Sequence, residues 1–194
     1  MKVKNRYYIL RHGKTEYQKG KANFTYPRKP IESVPLSDEG VEQIKRRAKQ
    51  VKGLNIDKIY ASDFLRTKQT AEIVKKEVGL GGDIIFDIRL RDLDLGIWHD
   101  KKKEDFYNKF PVGRSFFKKG PEGGESWDDL RERMIDVVRE IDDRNKNKSI
   151  LIVSHGDPLW ILEGVFKDKS KTELIEEKRS KDGFIKTAEL RRLN

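Results

Sequence analysis

The sequence predicts a three-layer α/β/α sandwich with a mostly parallel central sheet. Short apolar runs alternate with amphipathic segments along the chain, and two of those runs, YYILRHG and ILIVSHG, pass directly into histidine and glycine. Strands alternating with helices build a sheet covered on both faces. Apolar runs of this length bounded by glycine fit strands of such a sheet, and open α/β sheets place ligands beyond the carboxyl ends of their strands.

The first strand is expected over Tyr7 to Leu10, delivering Arg11, His12 and Gly13 to the lip of the sheet. Residues 17 to 36 hold Gly20, Pro27, Pro30 and Pro35 without a sustained period and read as a long loop, a length commonly functional in compact domains. Ser37, Asp38 and Glu39 then open a helix through Val41, Ile44, Ala48 and Val51 to about Gly53, because a hydroxyl cap and first-turn carboxylates suit a helix N-terminus. Ile56 to Ala61 is a second strand, after which Ser62 is expected to cap a helix carrying Leu65 to Val78 and stopped by Gly79. A short third strand follows at Ile84 to Phe86.

From Arg89 to Gly124 the pattern is irregular, with a short helix expected near 101 to 110. A long helix begins at Glu125 or Ser126, Ser149 to Ser154 form the clearest strand, Pro158 suits the first turn of a helix reaching Phe166, and Phe184 to Leu193 hold a last strand. The 194 residues are expected to form one domain, 1–194, with a lid-like insertion around 99–124.

Composition narrows the function classes. A chain without cysteine has no disulfide, thiolate metal site or cysteine nucleophile. Its apolar segments are too short to span a bilayer, and MKVKNRYYIL merges into the first strand without the apolar core of a leader, so no membrane partner and a cytoplasmic location are expected. The formal charge of +10 would suit an anionic partner, but lysine and arginine are interleaved with aspartate and glutamate. Interspersed charge lacks the one-faced basic footprint of nucleic-acid binding, so none is expected; the chain is expected to be a monomer or homodimer.

Two of the three histidines, His12 and His155, occupy strand-to-glycine junctions, which brings them together at one edge of a parallel sheet. Arg11 adjoins the first, and Arg66 lies in the opening turns of the helix after the second strand. Two arginines, two histidines and helix N-terminal amides at one point make an oxyanion site suited to phosphate, which guanidinium groups bind bidentately.

Arg11 to Glu16, Pro35 to Gly40, Ser62 to Ala71, Leu90 to Trp98, Gly124 to Ser126 and Ser154 to Gly156 resemble, in order and spacing, the motifs of the histidine phosphatase superfamily. The likeness is to its cofactor-dependent phosphoglycerate mutase-like branch, of the broad-specificity phosphatase type. It implies the corresponding fold, a small phosphorylated substrate, no cofactor or metal, and His12 as nucleophile, with Arg11, Arg66 and His155 clamping the phosphoryl oxygens. Gln18 stands where related sequences carry a phosphate-touching asparagine, and Gly156 joins the substrate-binding set. Family members carry their proton-donating glutamate in a stretch like LRELDFGEWEG; here LRDLDLGIWHD places Asp92 there, one methylene shorter. Asp94 reads as the structural acid of that motif, His99 as an exposed loop residue and Asp157 as a cap of the following helix.

The resemblance favours a phosphomonoesterase over a mutase, whose enclosing segments find little room in this chain, and over a catalytically weak binding protein. A metal site on His12, His155 and Asp92 lacks a ligand-spacing motif, and the adjacent arginines would repel the cation. Lys101 to Lys103 and Phe116 to Lys119 are expected to cover the site.

Overall fold

Every residue of the first strand, β1 (Arg6–Arg11), between its ends is buried, and alternate side chains leave on opposite faces. Tyr7 and Ile9 join one apolar cluster, Tyr8 and Leu10 the other, as the period-2 geometry of a strand covered on both sides requires. The computed structural model describes residues 1–28, 33–180 and 183–194. Pro30, in the loop expected over 17 to 36, lies outside them.

The sheet has the order β3-β2-β4-β1-β5. Strands β1, β2 (Lys58–Ala61), β3 (Ile85–Phe86) and β4 (Ser149–Ser154) run parallel, and β5 (Leu190–Arg192) lies antiparallel on the outer side of β1. Helices α1 (Asp38–Lys52) and α2 (Leu65–Val78) cover one face. Helices α5 (Trp127–Asp143) and α6 (Gly156–Phe166) cover the other, so the three-layer arrangement is as expected. No helix among the described residues is long and apolar enough to cross a membrane.

Local chemistry explains most boundaries. Ser37 Oγ accepts from Gly40 N at 3.1 Å, and Gly79 ends α2 with φ at 68°, a left-handed turn that glycine adopts without strain. Ser126 and Asp129 close a reciprocal capping box at the start of α5. Two short helices, α3 (Lys103–Lys109) and α4 (Arg114–Lys118), occupy the irregular stretch, and α7 (Lys171–Ser180) follows α6. Only the first of these three was expected. The closing strand is shorter than expected because pairing to β1 covers Leu190 to Arg192 alone.

Register positions the site. Arg11 pairs with Ser154, so His12 and His155 emerge one residue later at the same level, and His12 N donates to Ser154 O at 3.1 Å. A Cβ on Gly13 would stand 2.6 Å from Gly40 O, which is why the chain needs glycine where α1 meets the strand end.

Candidate active site

The imidazoles of His12 and His155 are fully buried, with ring centroids 5.3 Å apart in an edge-to-face pair. His12 Nδ1 lies 2.7 Å from Gly13 O. A carbonyl only accepts, so Nδ1 carries the proton and Nε2 presents its lone pair. Burial, and after it the cations of Arg66 and Arg11, hold His12 well below the usual imidazole range. The ring is therefore neutral at neutral pH, the form a nitrogen nucleophile requires.

His155 Nε2 pairs with Ser62 Oγ at 2.9 Å, and its Nδ1 faces Asp92 Oδ2 at 3.7 Å. Ser62 was expected as the cap of α2. That helix begins with Phe64 as N-cap and no side-chain cap bond, while the Ser62 hydroxyl turns to the imidazole instead. Burial foremost, then Arg66, His12 and Arg11, lowers His155 in turn.

Arg66 is 3% exposed. Its guanidinium carbon stands 4.2 Å from the Tyr26 ring centroid and 4.7 Å from that of Phe64. Aromatic faces hold a planar cation in orientation while leaving its edge donors unspent. Arg11 donates through Nη1 to Ile185 O at 2.8 Å. Among the described residues, nine buried side-chain polar atoms lack a hydrogen-bond partner, and five belong to this site: Arg11 Nε, His12 Nε2, Arg66 Nε and Nη2, and His155 Nδ1. Buried donors without partners are costly, and a phosphoryl group is an acceptor that would satisfy the guanidinium members of the set, while His12 Nε2 keeps its lone pair for an electrophile.

Asp92 lies beside this group, with Oδ2 3.6 Å from Arg66 Nη2 and Oδ1 accepting from Leu93 N at 3.0 Å. Burial raises its carboxyl above the ordinary aspartate range against the opposing pull of Arg66. A second layer fixes the loop that carries it. Glu125 binds Arg133 through both oxygens, at 2.6 and 2.8 Å, and Arg133 donates to the carbonyls of Arg89, Arg91 and Asp92. Ser154 Oγ adds a bond to Leu90 O at 2.7 Å.

Two cavities meet at this carboxylate. One of about 730 Å³ opens toward Arg89 and Ile88, the other of about 560 Å³ toward Phe106 and Phe184, and Tyr26, Asp92, Leu93 and Leu95 line both. Arg11, Gln18 and Gly156 line the second. A Cβ on Gly156 would stand 2.9 Å from Phe184 Cζ and 3.2 Å from Arg11 Cζ, so only glycine lets α6 approach this closely. Gln18 Oε1 accepts from Thr15 N at 2.9 Å and its Nε2 donates to Tyr26 Oη at 2.7 Å. Its amide thus braces the loop as well as facing the cavity.

Asp94 is structural, accepting from Gly96 N at 2.9 Å and pairing with Arg28. His99 is not an exposed loop residue: its side chain is 14% exposed, with Nδ1 on Tyr26 O at 2.8 Å and Leu95 N donating to Nε2 at 3.0 Å. Asp157 does not cap α6; it pairs with Lys178 of α7, a helix the sequence reading lacked. Of the segments expected to cover the site, Lys103 and Phe116 line the second cavity. Lys101, Lys102, Lys118 and Lys119 are exposed elsewhere, and Phe117 is packed against Trp127.

Sequence reasoning missed Ser62 as a partner of His155, Tyr26 and Arg133. Ser62 was within reach of it, since it too follows a strand end at the same edge. Tyr26 and Arg133 carry no local signal. No cluster of three or more histidine, aspartate or glutamate side chains that could hold a metal occurs among the described residues.

A parallel-sheet edge presenting an unprotonated imidazole nitrogen to unspent guanidinium donors defines a phosphoryl-binding class of site. Residues 7–177 match the histidine phosphatase superfamily, branch 1, and the chain belongs to that family. It is 34% identical, over 161 residues spanning 80% of this chain and 71% of the relative, to a probable phosphoglycerate mutase of Cronobacter sakazakii. A mycobacterial glucosyl-3-phosphoglycerate phosphatase shares the fold with a TM-score of 0.79 at 23% identity, over 96% of this chain and 90% of the other. The YhfR structure from Bacillus stearothermophilus aligns with a TM-score of 0.71 at 29% identity, over 88% and 83%.

Proposed function

We propose that this chain is a metal-independent phosphomonoesterase that works through a phosphohistidine on His12 and acts on a small phosphorylated metabolite. The observation that carries the reading is the fixed tautomer of His12: Nδ1 is spent on Gly13 O, and Nε2 is bare beside the unpartnered donors of Arg11 and Arg66. In the first step His12 Nε2 attacks phosphorus, the bond to the ester oxygen breaks, and Asp92 gives its proton to the departing alkoxide. In the second, water attacks the phosphohistidine, the phosphorus–nitrogen bond breaks, and the Asp92 carboxylate takes the water's proton. Arg11, Arg66 and His155 stabilise charge on the nonbridging oxygens in both, which is the main demand of phosphoryl transfer. Gln18 and Gly156 border the bound phosphate, and Lys103, Phe106, Phe110 and Phe116 of the 99–124 insertion face the leaving group.

A second reading, return of the phosphoryl group to another hydroxyl of the same substrate, rests on the mutase name of the 34% identical relative. The test of the main reading is direct. A phosphorylated substrate, quenched in alkali, should leave acid-labile phosphate on His12; an unlabelled protein together with full turnover by His12→Ala would reject it.

A further inference from the structure

Of the three histidines, His99 is the one the phosphoryl mechanism leaves unused. Its ring bridges two segments of the site. Nδ1 lies 2.8 Å from Tyr26 O, in the segment that covers His12 and Arg66, and Nε2 accepts from Leu95 N at 3.0 Å, in the loop that carries Asp92. A carbonyl only accepts, so Nδ1 holds the proton and both nitrogens of the neutral ring are engaged. The family stretch LRELDFGEWEG has a glutamate at this position, and a carboxylate could not donate to Tyr26 O. The bridge therefore comes with the histidine.

The same Nε2 stands 3.1 Å from Asp94 Oδ1. In the neutral ring two lone pairs face each other there, and a proton on Nε2 turns the contact into a charge-assisted hydrogen bond. Asp94 is ready as the anion: burial raises its carboxyl, yet Gly96 N, His99 and Arg28 together hold it below the usual aspartate range. Arg28, from the segment after Tyr26, binds the other oxygen at 2.8 Å and competes for the carboxylate. Glu125, at the start of α5, accepts from Asp94 N at 3.0 Å, and Arg133 neutralises it in turn. The imidazole lines the cavity of about 730 Å³, which gives protons a path to Nε2.

We propose that His99 is a positioning residue of this site: its imidazole locks Tyr26 over His12 and Arg66, and a proton on Nε2 exchanges the Leu95 amide for the Asp94 carboxylate while the bond to Tyr26 O tightens. The Tyr26 ring stands edge-on to His12 at 6.3 Å and 4.2 Å from the Arg66 guanidinium carbon, so whatever holds its backbone holds the cover. An imidazolium N–H is a stronger donor to a carbonyl than a neutral one. With the phosphatase reading above, on which this rests, mild acid closes the cover over the nucleophilic nitrogen. Thr25 Oγ1 gives the segment a second tie, donating to Trp98 O at 2.7 Å, so loss of His99 loosens Tyr26 without releasing the whole loop.

The test follows the cover and requires no turnover. Acylation of His12 by diethyl pyrocarbonate, read at low conversion on the peptide containing residue 12, should be about five- to tenfold faster in His99→Phe than in the wild type. His99→Asn should stay within about twofold of the wild type, because an asparagine amide nitrogen donates from the place of Nδ1. From neutral pH into mild acid, the wild-type rate should fall relative to that of His99→Asn by about two- to fivefold. Protonation of His12 itself enters both rates alike, so their ratio isolates His99. Should the phenylalanine variant fail to fold, nuclear magnetic resonance of the wild type decides: the Leu95 amide proton should shift upfield on the same titration as the His99 imidazole. Wild-type acylation in His99→Phe, or an asparagine variant as fast as the phenylalanine one, would overturn the lock. A Leu95 amide indifferent to the imidazole titration would overturn the proton exchange. A protein that gives the expected rates yet hydrolyses no phosphomonoester would sink the phosphatase reading alone and leave the lock in place.

Discussion

The Nδ1 atom of His155 faces Oδ2 of Asp92 at 3.7 Å, and Arg66 Nη2 approaches the same oxygen at 3.6 Å. The carboxylate therefore stands at the rim of the proposed phosphate clamp, where an ester oxygen would depart. Burial raises its pKa, which keeps a larger fraction protonated than an exposed aspartate would have. Asp92→Asn should slow an alkyl phosphate by on the order of 10²- to 10³-fold and nitrophenyl phosphate far less, because nitrophenolate needs no proton. In the proposed mechanism the acid form is the one that works, so wild-type kcat on alkyl esters should fall as pH rises through the Asp92 pKa, and that limb should vanish in the asparagine variant. Equal losses on both ester types would remove Asp92 from the donor role.

Arg133 touches none of the clamp residues directly, yet it binds three carbonyls of the loop carrying Asp92. Arg133→Met removes the cation paired with Glu125, whose Oε2 keeps only its bond from Asp94 N, and takes the donor from those carbonyls. A loss of about 2 to 4 kcal/mol in unfolding free energy is expected, with kcat on alkyl phosphates falling more than kcat on aryl phosphates, as for a donor out of place. A stability loss with unchanged leaving-group dependence would confine Arg133 to scaffolding.

The legible part of this protein is what short-range pattern encodes. Two strands ending in histidine and glycine gave the parallel edge, and the register of Arg11 on Ser154 makes the two imidazoles neighbours. The cap Ser37 was readable because a capping hydroxyl acts within three residues of itself, and the start of α5 was placed at Glu125 or Ser126 without singling out Ser126 as its cap. What stayed illegible acts over distance. Tyr26 reaches Arg66 across 40 positions, and Lys178 reaches Asp157 from a helix whose weak apolar period gave no sign of it. Ser62 was misread because strand-end serine before a helix is locally indistinguishable from a cap; its partner His155 is 93 residues away.

Folding stability should weaken in mild acid. His12 and His155 are held well below the usual imidazole range in the folded chain, whereas in the unfolded chain they titrate near 6.5. Below that pH the unfolded state binds protons that the folded state refuses, so stability is full above about 6.5 and declines as pH drops from there toward the folded-state values. Each histidine contributes a slope of up to about 1.4 kcal/mol per pH unit. Denaturant unfolding at pH 7.5, 6.5 and 5.5 measures it, and replacing His155 by Gln should flatten the curve; an unchanged slope in that variant would mean its imidazole is protonated in the folded state.

Tyr26 roofs His12. Its ring meets that of His12 edge-on at 6.3 Å, covers Arg66 at 4.2 Å, and is tethered by its hydroxyl to Thr15 Oγ1 at 3.0 Å and Gln18 Nε2 at 2.7 Å. The His12 side chain has no exposed surface in this arrangement, so reagents reach it only when the roof moves. Tyr26→Ala should speed acylation of His12 by diethyl pyrocarbonate at least several-fold, read by mass spectrometry on the peptide containing residue 12. Arg66 loses one of its two aromatic faces in the same variant, a cation–π contribution of about 1 kcal/mol. The guanidinium then wanders, and weaker phosphate binding should appear as a higher KM for substrate and a higher inhibition constant for inorganic phosphate. Tyr26→Phe separates the two effects: it keeps the ring on Arg66 and removes only the tether, so phosphate affinity should hold while acylation still accelerates. Should both variants acylate at the wild-type rate, access to His12 runs past some other side chain and Tyr26 serves Arg66 alone.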